Sequence, residues 1–224
     1  MTGSRISARS LLRETFAITK PIYAPLLTIN FPNLILSAII NSFGNLGSAG
    51  VVFFIYSLVA VPLFSGAMIF YTYRSLTRNQ VTVGQAYNQA SRRLLHLILA
   101  YILFVGLVFA GFLALIIPGL YVSCRLTFSL YATVIDNSSA VDSLSSSWEL
   151  TKGRWWLLFR ALSLIVLVVF VPIILISLLI DPTAKSVGYQ LTSNLLGFLA
   201  GPLMNVYLVL LYLRLRESAA TIIK

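Results

Sequence analysis

Residues 94–117 read LLHLILAYILFVGLVFAGFLALII, and this stretch decides the fold. Apart from His96 at its edge it carries no charged side chain. A helix that crosses a hydrocarbon core needs roughly 20 predominantly apolar residues, and this run exceeds that. Working outward, five further segments qualify: about Pro21–Ile40, Val51–Tyr73, Gly119–Ile135, Trp155–Ile180 and about Val187–Leu213. The segment Gly119–Ile135 is the shortest and holds the deepest charge, Arg125.

The composition agrees. Hydrophobic residues make up 58% of the 224-residue chain and charged residues only 10%, against about 25% charged in soluble domains. So much apolar surface belongs in lipid. The net charge of +10 could suggest nucleic acid, but the basic residues lie in short clusters between apolar runs. That is a topology signal rather than a phosphate-tracking patch, so no nucleic acid is expected as a partner.

The clusters alternate. Arg5, Arg9, Arg13 and Lys20 precede the first span; Arg74, Arg78, Arg92 and Arg93 follow the second. Lys152 and Arg154 follow the fourth; Arg214, Arg216 and Lys224 follow the sixth. The other three connections hold one basic residue, Lys185. Basic loops stay in the cytoplasm, so both termini are expected there. The connections on the far side are small: a Gly/Ser/Asn-rich turn at Asn41–Gly50, a tight break at Pro118-Gly119, and Asp181–Ser186, which opens with Asp-Pro. The first twenty residues lack the apolar core of a signal peptide, and neither end carries a lipidation motif. The lone Cys124 reads as a small packing residue.

Three amphipathic segments lead into the odd-numbered spans. In the first, Ala8, Leu11, Leu12, Thr15, Ile18 and Thr19 share a face. In the second, Thr82-x-x-Gln85 resembles a capping box before Val83, Ala86, Tyr87, Ala90 and Leu94. In the third, Ser139-x-x-Asp142 precedes Val141, Leu144, Trp148 and Thr151. The expected fold is all-α: a polytopic membrane protein of six transmembrane helices in three hairpins, each preceded by a cytoplasmic amphipathic helix. Residues 1–20 form the first such helix, 21–213 the transmembrane domain, and 214–224 a basic tail. Phe16-Ala17-Ile18-Thr19-Lys20 and Trp148-Glu149-Leu150-Thr151-Lys152 are alike. They point either to an internal repeat or to what any helix entering a membrane from the cytoplasm looks like.

Between Ile117 and Phe159 the pattern becomes specific. Ile117-Pro118-Gly119-Leu120-Tyr121 is followed by Arg125, Asp136, Ala140-Val141-Asp142-Ser143-Leu144 and Ser147 through Trp156. Near the end stands Leu211-Tyr212-Leu213-Arg214-Leu215-Arg216-Glu217. This resembles a bacterial family known as the membrane domain of some glycerophosphodiester phosphodiesterases and from uncharacterised stand-alone relatives. The family usually has an acid where Leu213 stands. The resemblance implies a six-helix fold in a bacterial cytoplasmic membrane. It does not imply diesterase activity, which belongs to a separate soluble barrel with paired histidines.

Several residues carry alternative readings. Arg125 is either an anion or lipid-headgroup contact, or a tie to Asp181, to asparagines or to carbonyls near Pro118. Asn30 and Asn33 flank Pro32, and Asn205 follows Pro202. They read as interhelical hydrogen-bonding groups or as the lining of a solute path. Gly106, Ala110 and Ala114, and Gly197 with Gly201, recur at four-residue spacing and suit close packing in the bundle or a dimer face. Trp148, Trp155 and Trp156, with Lys152 and Arg154, read as an interfacial anchor, and Arg160 one to two turns deeper can snorkel back. Arg92 and Arg93 add headgroup contacts. His96 beside two arginines is a poor base, and the Ser143, Ser145, Ser146, Ser147 cluster reads as a polar helix face. No catalytic constellation, metal-ligand cluster or cofactor motif is present, so no cofactor is expected. The function these features favour is a non-enzymatic one: binding lipids, with anionic headgroups on the cytoplasmic side, or a membrane protein partner or second copy. A small transporter or channel is the alternative, and an accessory domain of lipid metabolism the third reading.

Overall fold

The computed structural model describes residues 8–42, 49–77, 79–180 and 187–222. Among them every regular element is helical: α1 (Ala8–Ser42), α2 (Ala49–Ile55), a π-helical turn (Tyr56–Ala60), α3 (Val61–Leu76), α4 (Val83–Arg92), α5 (Leu94–Ala114), α6 (Ile116–Leu126), α7 (Ser129–Ile135), α8 (Ala140–Leu150), α9 (Trp155–Ile180) and α10 (Val187–Ile222). Five helices are long and apolar enough to cross a membrane: Arg9–Ile40, Gly50–Leu76, Leu94–Ala114, Trp155–Leu179 and Gly188–Ala220. Their outward faces stay bare; Leu113 is 72% and Leu179 84% exposed. Such a surface fits lipid, not water, and the chain is a membrane protein.

The core runs along α1 and α10, the most extensively paired helices. Leu26, Ile29, Val206, Tyr207, Leu211, Tyr212 and Leu215 are fully or almost fully buried there. Hydrogen bonds between helices join the apolar contacts. The Tyr23 hydroxyl donates to the Leu199 carbonyl at 2.9 Å, and Tyr87 on α4 donates to the Ile29 carbonyl at 2.6 Å. Both carbonyls lie three residues before a proline, Pro202 and Pro32. A proline ring wedges that turn open, which turns its carbonyls toward a side-chain donor.

α4 starts as its sequence pattern predicts. Gln85 N–H donates to Thr82 Oγ1 at 3.2 Å and Thr82 N–H to Gln85 Oε1 at 3.0 Å, a complete capping box. Ser139 caps α8 by accepting from Asp142 N–H at 3.3 Å.

Four expectations are corrected. The N-terminal amphipathic helix is not separate from the first span: α1 continues through Pro21, Pro25 and Pro32. Contacts to α10 on both sides of Pro21, from Glu14 and from Tyr23, hold the two parts in line. The tight break lies at Leu115, which is extended (φ −173°, ψ 164°), and Pro118 falls in the first turn of α6, where its missing N–H has no helical partner to lose. The expected fourth span is divided at Thr127 and Phe128 into α6 and α7. Finally, the Gly106, Ala110, Ala114 stripe faces outward, with nothing within 4 Å of a Cβ placed on Gly106, which removes its packing within the bundle and leaves the dimer-face reading. Gly197 is equally open, whereas Gly201 lies against Asn30. The turn at Asp181–Ser186 and the core of the Asn41–Gly50 turn lie outside the described residues.

The close approach between α5 and α6 uses other glycines. A Cβ on Gly111 would stand 3.1 Å from Gly119 Cα, and one on Gly119 would meet Phe112 ring atoms at 2.5 Å. Overpacking of this kind costs about 1–3 kcal/mol. Gly119→Ala is therefore expected to lower stability by that amount in a reversible unfolding titration in mixed micelles. Gly106→Ala, in open space within α5, is expected to raise it by up to about 1 kcal/mol, since alanine is the better helix former.

Candidate functional site

Four basic clusters, separated in sequence, meet at one end of the bundle. Arg214 on α10 reaches Glu14 on α1 at 2.9 Å. Arg216, two residues on, pairs with Asp136 after α7 at 2.7 Å, and Tyr212 donates to the same carboxylate. Arg154, before α9, donates to the Leu215 carbonyl at 3.4 Å. Arg93, between α4 and α5, donates to the Asn137 carbonyl at 2.9 Å. Asn137 holds a left-handed conformation (φ 56°) at the turn into α8, which asparagine tolerates better than most residues. Three acids are paired here: Glu14, Asp136, and Glu149, which lies 3.6 Å from Lys152. Lys152 and Trp156 remain exposed, with Trp156 stacked on Phe159. Arg160 is exposed and bonds back to the Trp156 carbonyl at 3.4 Å.

Arg125 is the buried exception, 3% exposed. Its guanidinium lies 4.2 Å from the centroid of the Trp148 ring and 5.8 Å from that of Tyr121. Tyr121 in turn packs edge-on against Trp148 and at a tilt against Trp155. A cation over an aromatic face gains about 2 kcal/mol or more when desolvated. That gain offsets part of the several kcal/mol that a buried charge costs. Arg125 Nε has no hydrogen-bond acceptor among the described residues, nor do Trp155 Nε1 and Ser129 Oγ. Arg125 lies ten residues beyond the Leu115 turn, about 15 Å along the helix axis, against α8 rather than toward the outer end. Its tie is aromatic: the asparagines are engaged elsewhere, and Asp181 lies outside the described residues. Trp148 accordingly covers Arg125 instead of anchoring freely at an interface.

The serines of α8 divide. Ser145 and Ser146 are exposed, whereas Ser143 and Ser147 are buried. Ser147 bridges the break between α6 and α7: its hydroxyl donates to the Arg125 carbonyl at 2.8 Å and accepts Phe128 N–H at 3.2 Å. The Thr151 hydroxyl, whose nearest acceptor is the Ser147 carbonyl at 2.7 Å, also lies within reach of the Arg125 carbonyl at 3.2 Å. Gly153, in the left-handed region (φ 70°), then turns the chain into α9.

The asparagines form two separate ties between helices. Asn33 donates to Asn30 at 3.1 Å and accepts from Tyr56 on the π turn. Asn205 accepts from Thr72 on α3 at 2.8 Å. Neither tie reaches Arg125 in these contacts.

An open cleft of about 390 Å³ lies between the end of α3, the 79–82 connection and α4. Its walls include Arg74, Asn79, Gln80, Asn88, Gln89 and Arg92, with no carboxylate among the described residues that line it. Arg74 lies over the Phe70 ring at 5.4 Å, and Arg92 Nε donates to Asn88 Oδ1 at 3.4 Å. Sequence reasoning placed Arg92 at the surface but missed Arg74 as its companion, because the two are brought together only by the turn between α3 and α4. No group of three or more His, Cys, Asp or Glu side chains among the described residues could hold a metal ion.

No curated protein and no solved structure matches the chain. A family model described as "Domain of unknown function (DUF7847)" matches residues 103–215. That span starts within α5 and takes in the Arg125 cage, the Ser147 bridge, α9, and α10 as far as Leu215, whose carbonyl holds Arg154. With half of its length inside the match, the chain belongs to the DUF7847 family.

Proposed function

We propose that this is a non-enzymatic protein of a bacterial cytoplasmic membrane that holds anionic lipid headgroups at its cytoplasmic end and so organises the surrounding lipid or a membrane partner. The observation that carries this is the gathering of four basic clusters at one end of the bundle, with Glu14, Asp136 and Glu149 engaged in ion pairs and Lys152, Arg92 and Trp156 exposed. Anionic lipids and aromatic–basic belts meet at that depth. The engagement of Asn33 and Asn205 in ties between helices, with Asn30 bonded to Asn33 within α1, favours this reading over a solute path. The bacterial membrane rests on the resemblance of residues 117–159 and 211–217 to the glycerophosphodiester phosphodiesterase membrane domains.

The reading includes six traverses with both termini inside. Its support is the contact of Arg93 with Asn137, which brings the chain back beside its starting level after α5, α6 and α7. On this reading α6 and α7 together make the return leg.

The test is lipid retention. Each basic residue at an anionic surface contributes about 1 kcal/mol, so three or four exposed ones predict a preference of at least about tenfold for phosphatidylglycerol over phosphatidylcholine. Protein purified in mild detergent, exchanged into mixed lipid and read by native mass spectrometry should show it. Equal retention of the two lipids would sink the proposal.

A further inference from the structure

The cleft between α3 and α4 is more specific than a basic surface, and resting on the lipid-binding reading we infer that it is a binding site for a phosphate mono- or diester, with an anionic lipid headgroup as its natural occupant. Two guanidinium groups, Arg74 and Arg92, line one cleft of about 390 Å³ and nothing acidic lines it with them. Each is positioned by a neutral neighbour: Arg74 by the Phe70 ring and Arg92 by the Asn88 amide oxygen. Such contacts fix orientation without cancelling charge. Because Arg92 spends only its Nε on Asn88, its terminal nitrogens stay available as a fork for two phosphate oxygens.

The remaining wall supplies neutral donors. Gln85, Asn88, Gln89 and Arg92 follow one another at helical spacing on α4, so the polar face of this amphipathic helix lines the cleft. Ala86 and Ala90 on its other side are buried. Thr82 and Gln85 have spent their capping groups on each other, so the site depends on side chains and not on the helix N-terminus. A second opening of about 700 Å³ shares Asn79, Gln80, Val81 and Gln85 and adds Tyr71, Ser75 and Thr82. The connection 79–82 thus borders two openings, room for a headgroup larger than a bare phosphate. An amide-rich lining suits the hydroxyl groups of a polyol headgroup such as glycerol.

The experiment compares wild type, Arg74→Gln/Arg92→Gln and Arg74→Lys/Arg92→Lys. Each is measured by native mass spectrometry in phosphatidylglycerol and in phosphatidylcholine, and by thermal stability in lipid-free detergent with and without inorganic phosphate. Loss of two charge-assisted contacts is expected to lower phosphatidylglycerol retention about tenfold or more. The lysine pair, which keeps charge but loses the fork, is expected to fall between. Unchanged melting of the lipid-free variants shows that they fold. Stabilisation of wild type by inorganic phosphate that is absent in the glutamine pair supports the site with a soluble occupant. Glutamine-pair retention and phosphate response equal to wild type overturn the site. The headgroup preference at the rest of the basic end can survive that result, so the two readings fail separately.

Discussion

The Trp148→Ala protein is expected to lose about 3 kcal/mol or more of unfolding free energy, since it forfeits both aromatic packing and the cover of a buried cation. Arg125 would then be enclosed with Tyr121 as its remaining aromatic face. The effect is separable from simple truncation. Arg125→Met removes the charge, and replacing a buried cation by an apolar side chain of similar length is often neutral or stabilising. In an Arg125→Met background the Trp148→Ala change should therefore cost less, with a coupling of about 2 kcal/mol. Reversible titration in mixed micelles of all four proteins measures that coupling directly. A coupling below about 0.5 kcal/mol, the usual limit of additivity, means Trp148 does not stabilise the arginine.

The Ser147→Ala protein should show the second large effect. The hydroxyl joins the end of α6 to the start of α7, donating to the Arg125 carbonyl and accepting Phe128 N–H. Thr151 can still serve the carbonyl, but the Phe128 amide is left buried without an acceptor. Leaving one buried donor unpaired costs about 1–3 kcal/mol beyond the bond itself. The loss is expected at about 2–3 kcal/mol, with Ser145→Ala and Ser146→Ala within about 0.5 kcal/mol of wild type because both face outward. Hydrogen exchange supplies the local readout: the Phe128 amide should exchange faster in Ser147→Ala alone. Identical protection at Phe128 in wild type and variant argues against the bridge.

These two sites show where local pattern suffices and where it does not. α5 was legible because a long uncharged run has one stable form in lipid, and α4 because Thr82 and Gln85 cap it from within. The division of α6 from α7 was not, because it is held by Ser147, a residue that arrives only when α8 folds back. The continuity of α1 past Pro21 likewise depends on α10, almost the whole chain away. Arg125 was recognisable as a costly buried charge. Its partner was not, because a tryptophan close to Lys152 and Arg154 looks the same whether it faces lipid or a guanidinium. At the basic end the signs of the clusters were readable, but the pairing of Asp136 with Arg216 and the meeting of Arg74 with Arg92 are products of tertiary closure.

The pairing of α1 with α10 has a consequence for biogenesis. A chain made from its N-terminus offers α1 to the membrane first, yet Leu26, Ile29 and Asn30 of that helix are buried in a bundle that α10 completes. Until α10 emerges, Tyr23 has no Leu199 carbonyl and Glu14 has no Arg214. The first helix can take up its Tyr56 and Tyr87 contacts early, but its α10 partners stay unmet through the insertion of every helix between. Closure of the bundle waits on the insertion of α10, and a truncation before Val187 would leave an inserted but open protein for membrane proteases to find.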